Sequence, residues 1–136
     1  MDIDEARTFL RNHRHSVLHT FRSDSRPQLS PITHAVDDEG GVLVSSREPA
    51  YKVRNLERDP RATVMAMSDD FFGPWVQVDG TATIVHLPDA MDLLVDYYRR
   101  AAGEHPDWDE YRQAMERDRR VIIRIDIERA GPNRAG

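Results

Sequence analysis

From Arg120 to Ile127 the chain alternates with period two. Val121, Ile123, Ile125 and Ile127 fall on one side, and Arg124, Asp126 and Glu128 on the other. Such alternation specifies a strand with one face on a core and one facing away from it, the pattern of antiparallel rather than fully buried parallel sheets. Five more short segments read as strands, each bounded by turn-forming residues. Helical patterns occur at the start, in the middle and near the end. The expected class is mainly β, a small antiparallel barrel of about six strands with peripheral helices. A doubly wound parallel sheet fits poorly, because most of the connections are too short for helical crossovers.

The order of elements follows from local signals. A helix is expected over about Asp4–His13, with Asp2 and Glu5 at capping-box spacing. A strand at Ser16–Arg22 turns through Ser23-Asp24-Ser25-Arg26 into a second strand, Gln28–Val36, whose Pro31 suggests a sheet edge or a bulge. Asp37 to Gly41 forms a turn before a strand at Val42–Ser46. Glu48-Pro49 opens a short helix, with Pro49 in its first turn, and the helix stops before Asp59-Pro60. Strands at Ala62–Met67 and Trp75–Val85 follow. Gly80 is expected to bulge, because the valines on its two sides have opposite parity. The strongest helical pattern is Asp89–Ala102, closed by Gly103. Asp107 and Glu110 cap a further helix. The expected domain is residues 1–129, with 130–136 a flexible tail.

The 136 residues contain no cysteine. That excludes disulfides, thiolate nucleophiles, Cys-ligated metals and covalent flavin attachment through Cys. The net charge is −5, which argues against a nucleic-acid binder. The span from His86 to Asp118 alone carries −5, whereas Arg47 to Arg61 is net +2. That basic segment is either an anion site or a solvated helix face. No apolar run approaches the roughly 20 residues that cross a bilayer. The acidic N-terminus has no signal-peptide pattern, so the expected compartment is the cytoplasm.

Most catalytic signatures are absent. There is no Walker A loop, no G-x-G-x-x-G, no G-x-S-x-G and no H-E-x-x-H. His13 and His15 straddle a helix–strand junction, and His19 and His34 could face each other from neighbouring strands. Two histidines without a third ligand make a poor metal site, so no metal is expected. His34 is either a proton donor or a hydrogen-bonded strand histidine, and His105 reads as a solvated loop residue. One cluster stands out: Ser45-Ser46-Arg47, then Lys52, Arg54 and Asn55. Hydroxyls, helix N-terminal amides and cations within a dozen residues suit a phosphate monoester. Trp75, after a Gly-Pro turn, could stack on a ring. The alternatives are a nucleotide-like cofactor site and a plain barrel corner. Lys52 is the sole lysine beside eighteen arginines, and a compact ammonium on a flexible stem suits a phosphate.

These residues carry a family resemblance over about Ala6 to Ile127. Arg26-Pro27-Gln28-Leu29-Ser30, Ser45-Ser46-Arg47, the K-x-R-N-L-x-x-D-P run Lys52–Pro60 and Val78-Asp79-Gly80-Thr81-Ala82 resemble the pyridoxamine 5′-phosphate oxidase-like superfamily. The run Glu104–Met115 (E-H-x-D-W-D-x-Y-R-Q-A-M), with Asp118 to Val121, is similar to its actinobacterial branch, which uses the deazaflavin coenzyme F-420 rather than FMN. The resemblance implies an FMN-binding split barrel, a homodimer with two sites at the interface, and an oxidoreductase passing a hydride to an electron-poor small molecule. An FMN oxidase or reductase and a non-catalytic cofactor-sequestering dimer are the alternatives on the same fold. It further implies that Lys52 holds the cofactor phosphate with Ser45 or Ser46, and that Asn55 supports the loop. Gln28, Leu29 and Ser30 would line the ring. Trp75, Val76 and Gln77 would approach it from the partner chain, and Arg119 and Arg120 would meet an acidic tail. Related sequences place an Arg two positions before the lysine. Ala50 stands there, and Arg47 would supply the charge instead.

Overall fold

The computed structural model describes residues 1–132. Its elements are α1 (Ile3–Asn12), β1 (His15–Phe21), β2 (Pro27–Thr33), β3 (Ala35–Val36), β4 (Val42–Arg47), α2 (Tyr51–Arg58), β5 (Arg61–Met67), β6 (Trp75–Val85), α3 (Met91–Ala102), α4 (Trp108–Arg117) and β7 (Arg120–Gly131). The strands make one curled antiparallel sheet in the order β2-β1-β5-β6-β7-β4-β3. This is the expected small barrel with peripheral helices.

The seventh strand arises because the expected Gln28–Val36 strand divides at His34. That residue's amide donates to Arg14 O at 2.9 Å. Its ring is fully buried, with Nε2 donating to Leu10 O at 2.8 Å and Nδ1 accepting from Ser16 Oγ at 2.7 Å. His34 therefore pins the end of α1 to the start of β1 and turns the chain from one sheet edge to the other. It does not face His19, which pairs with Leu29 and Thr63.

Alternation puts apolar side chains on both sides of the sheet. The interior of the curl holds Leu18, Val44, Val64, Val76, Val78, Ile123 and Ile125, plugged by Leu10 of α1 and by Val53 and Leu56 of α2. A second core lies behind β4 and β7, where Leu43 and Ile122 meet Leu94, Val95 and Tyr111 of α3 and α4. Asp2 and Asp107 cap α1 and α4 through the amides of Glu5 and Glu110, as their spacing predicts.

The second core explains the parity change near Gly80. Val76, Val78, Gly80 and Ala82 are buried in unbroken alternation, while Val85 lies against the second core. The irregularity does fall at Asp79/Gly80, but the extra residue is Glu128 on β7, since Asp79 faces Arg129 and Gly80 faces Ile127. Gly80 is needed for close approach: a Cβ there would meet Asp126 O at 2.1 Å.

Three further boundaries differ from expectation by more than one residue. Glu48 and Pro49 form a turn closed by Ala50 N–H to Arg47 O at 3.1 Å, so Ala50 caps α2 in extended geometry and Pro49 lies outside the helix. Similarly, α3 opens at Met91 after a turn. β7 runs through Gly131, so Ala130 and Gly131 are strand rather than tail. The last four tail positions, 133–136, lie outside the described residues. No helix among the described residues is long and apolar enough to cross a membrane.

His105 is not a freely solvated loop residue. Its ring packs 5.1–5.7 Å from those of Tyr98, Trp108 and Tyr111, and its Nδ1 accepts the Asp107 amide at 2.9 Å. Trp108 Nε1 donates to Glu104 and lies under the Arg99 guanidinium. The E-H-x-D-W-D-x-Y run is thus the clasp joining α3 to α4.

Candidate functional site

The register of β4 separates the two serines of the basic cluster. Ser45 shares the outer face with Arg47, and their cross-strand partners are Ile122 and Arg120. Ser46 faces the interior, buried, with its hydroxyl donating to Arg47 O at 3.2 Å. Ser45, not Ser46, shares a face with the cations.

Lys52 is half-buried, and burial followed by the neighbouring Arg120 charge holds its ammonium below the ordinary lysine range. Arg120 Nε is buried and has no hydrogen-bond partner. The adjacent tyrosines do not serve it. Tyr97 OH donates to Thr33 O. Tyr111 OH donates to Leu94 O at 2.7 Å, and burial, followed by the Tyr97 charge, pushes its phenol up to about 12. Among the described residues no carboxylate pairs with Arg47, Lys52, Arg119 or Arg120. A desolvated guanidinium nitrogen without a partner beside a desolvated ammonium is a cost that an incoming oxyanion offsets. Phosphate chemistry fits these residues. Ala50 packs against the interior core, so the third cation near Lys52 and Arg47 is Arg120.

Another face of α2 bounds a cleft of about 550 Å³ against the β1–β2 turn. Tyr51, Arg54, Asn55 and Arg58 line it from α2, and Arg22, Ser23 and Gln28 from the hairpin. Asn55 is its hub. Buried itself, it donates to Thr20 Oγ1 at 3.1 Å and to Gln28 Oε1 at 2.8 Å. It accepts from Arg58 Nη2 at 3.1 Å, and the same nitrogen donates to Phe21 O at 2.6 Å. The structure thus brings Gln28 and Asn55 together. Arg22, Ser23, Tyr51 and Arg58 were not singled out from sequence, although Tyr51, Arg54/Asn55 and Arg58 have the i, i+3/i+4, i+7 spacing of one helix face.

The remaining expected residues lie elsewhere. Leu29, Trp75 and Gln77 point to the uncovered face of β2-β1-β5-β6, with Val17, Pro31, Met65 and Met67, whereas Val76 is buried in the core. Gln77 and Pro31 occupy one row but are separated by β1 and β5, about 14 Å at ordinary strand spacing. Within one chain, Trp75 and Gln77 do not join Gln28 and Asn55. Ser30 is half-buried on the Gln28 side of β2. Arg119, at positive φ, donates nothing to the cluster through its backbone; its carbonyl accepts the Glu48 amide.

Known proteins share this architecture. The crystal structure of the conserved hypothetical protein Rv2991 from Mycobacterium tuberculosis superposes with a TM-score of 0.78 at 28% identity, over 96% of this chain and 82% of that one. A protein described as an F420 reductase gives a TM-score of 0.70 at 21% identity, over 91% and 94% of the two chains. HutZ, the haem storage protein of Vibrio cholerae, gives 0.68 at 17% identity, over 96% and 94%. The sequence model of pyridoxamine 5′-phosphate oxidase matches residues 3–133. The curled seven-stranded sheet is a split barrel, and the chain belongs to the pyridoxamine 5′-phosphate oxidase family.

Proposed function

We propose that this protein is a cytoplasmic oxidoreductase that binds coenzyme F-420 without a covalent bond and reduces an electron-poor small molecule. The observation that carries the reading is the uncompensated cation group of Arg47, Lys52 and Arg120, with its orphaned buried Nε. Lys52 and Arg47 would hold the phosphate, with Ser45 as a hydroxyl donor. Arg120 adds the charge that Ala50 lacks. Gln28 and Ser30 would flank the ring on the hairpin. The likeness to an F420 reductase supports this choice of cofactor. When bound, the deazaflavin supplies the hydride, while the protein contributes position and electrostatics. His34 takes no part in proton transfer in this reading: it is buried, and both ring nitrogens are engaged.

Two chains would pair through the uncovered face around Val17, Leu29, Pro31, Met65 and Trp75. That pairing would bring Trp75 and Gln77 of each chain to the other's site. Light scattering checks it, and a monomer would contradict it.

FMN on the same residues is the second reading. The third is a sequestering dimer without turnover, which the likeness to a haem storage protein favours. Fluorescence titration with oxidised deazaflavin and with FMN separates the first two. Binding without reduction of any quinone, enone, nitroaromatic or tetrapyrrole would support the third. Lys52→Ala is expected to weaken cofactor binding at least about tenfold, since a charged hydrogen bond is worth about 1.5–3 kcal/mol. An unchanged Kd would remove Lys52 from the site, and no quenching of either fluorophore would end the oxidoreductase reading.

A further inference from the structure

We propose that the cleft between α2 and the β1–β2 turn is a second anion subsite, separate from the Lys52 group, which takes a polyanionic ligand group built from carboxylates or phosphates. Three arginines and no acid line it. Arg22 and Arg54 are exposed, and neither guanidinium has an acidic partner among the described residues. Such an arrangement is unusual in a chain of net charge −5, where carboxylates are plentiful enough to pair with surface arginines.

The floor of the cleft is preorganised to donate. Both amide protons of Asn55 are spent, on Thr20 and Gln28, and its oxygen is held by Arg58. Gln28 Oε1 is occupied by Asn55, which leaves the Gln28 amide nitrogen as the group free for a ligand. Arg58 is fixed through one terminal nitrogen by Phe21 O and Asn55 Oδ1, so its other donors keep a set direction. The amide oxygens are thus engaged by the protein, while guanidinium and amide N–H groups remain available. Planar guanidinium groups match the geometry of carboxylate and phosphate. Two exposed arginines and one anchored arginine around about 550 Å³ suit several oxyanion groups at once rather than a single small ion. Tyr51, with 70% of its surface exposed, offers a ring edge for the apolar part of such a ligand.

The subsite is distinct from the Lys52 group because it uses a different face of α2 and shares no cation with it; Gln28 is the one residue it has in common with the proposed ring site. Its occupancy needs no deazaflavin, so it can be tested without one. The probes are inorganic pyrophosphate and tricarballylate, titrated into the full chain in a zwitterionic buffer, with the Nε–Hε resonances of Arg22, Arg54 and Arg58 followed by NMR. Binding is expected to shift these resonances. R22M/R54M is expected to weaken it at least about tenfold, the worth of one charge-assisted hydrogen bond, whereas K52M leaves it within about twofold, as for a site with no shared partner. Both substitutions in the double variant are at exposed positions, and circular dichroism verifies that the fold is retained. Response to tricarballylate alone assigns a polycarboxylate, and response to pyrophosphate alone a phosphate. Both results lie within the proposal. Absence of binding of either probe, unchanged affinity in R22M/R54M, or loss of binding in K52M overturns it. No deazaflavin binding with these probes still bound would overturn the proposed cofactor and leave this subsite standing, so the two failures are distinguishable.

Discussion

Arg120→Met is expected to make the protein more stable without an anion while weakening the cofactor binding proposed for it. The substitution keeps the unbranched apolar stem and removes the guanidinium. In the ligand-free protein Arg120 Nε is buried without a partner, and an unsatisfied buried donor costs about 1–3 kcal/mol. The Arg120 charge also opposes that of Lys52, so the lysine should titrate closer to its ordinary range in the variant. At about 2.1 cal/mol/K per residue, a domain of this length unfolds with an entropy near 0.3 kcal/mol/K, so the melting temperature should rise by roughly 3–10 °C. The assay is calorimetric unfolding in a buffer without phosphate. Added phosphate should then raise the Tm of the wild type more than that of the variant, because a ligand that binds only the folded state stabilises it by mass action. Cofactor affinity should fall at least about tenfold in R120M. An unchanged or lowered Tm in anion-free buffer would refute the reasoning, since it would show that the guanidinium is stabilising without a ligand.

Burial lowers the affinity of His34 for a proton, against the opposing effect of its hydrogen bond to Leu10 O. A folded-state pKa below the unfolded one means that the unfolded chain binds more protons, so the associated stability is present above about pH 6.5 and is lost as pH falls below it. Urea midpoints at pH 7.5 and 5.0 should show this loss in the wild type and a smaller one in H34Q. Asn55→Ala should cost about 1–3 kcal/mol by leaving Thr20 and Gln28 without their shared partner, read as a lower urea midpoint at unchanged m-value. Gly80→Ala should be worse than about 3 kcal/mol, because the added Cβ meets backbone oxygen at 2.1 Å and a carbonyl in a sheet ladder cannot rotate away; insoluble expression or a urea transition shifted far to low denaturant would both register it.

The strands were legible because one-sided burial forces period two, and β6 occupies Trp75–Val85 as the pattern indicates. The His34 break was not legible: its cause is a buried imidazole bridging Leu10 and Ser16, and a tertiary bridge has no local signature. The parity argument at Gly80 located the irregularity but put it on the wrong strand. Alternation counts apolar residues without saying which core each one faces, and Val85 serves the second core. Pro49 suits the first turn of a helix, but the Arg47–Ala50 turn decides where α2 begins.

The placement of the candidate site residues was legible in part for a related reason. Clustering in sequence located Lys52 and Arg47, since charge density survives any folding of a short segment. It could not separate Ser45 from Ser46, which only the β4 register divides between outer face and interior. Nor could it raise Arg120 above a minor contact for an acidic tail, because its place opposite Arg47 is set by pairing across 73 residues of chain. The α2 helix joins these two levels. Val53 and Leu56 anchor it in the interior core, which fixes its rotation. Helical spacing then presents Tyr51, Arg54, Asn55 and Arg58 to the hairpin and leaves Lys52 near Arg120. The same two apolar anchors that stabilise the barrel therefore set which cations face the hairpin and which face Arg120. Changes that rotate α2 should alter anion binding at both faces together, whereas changes to an arginine in the cleft should alter only its own.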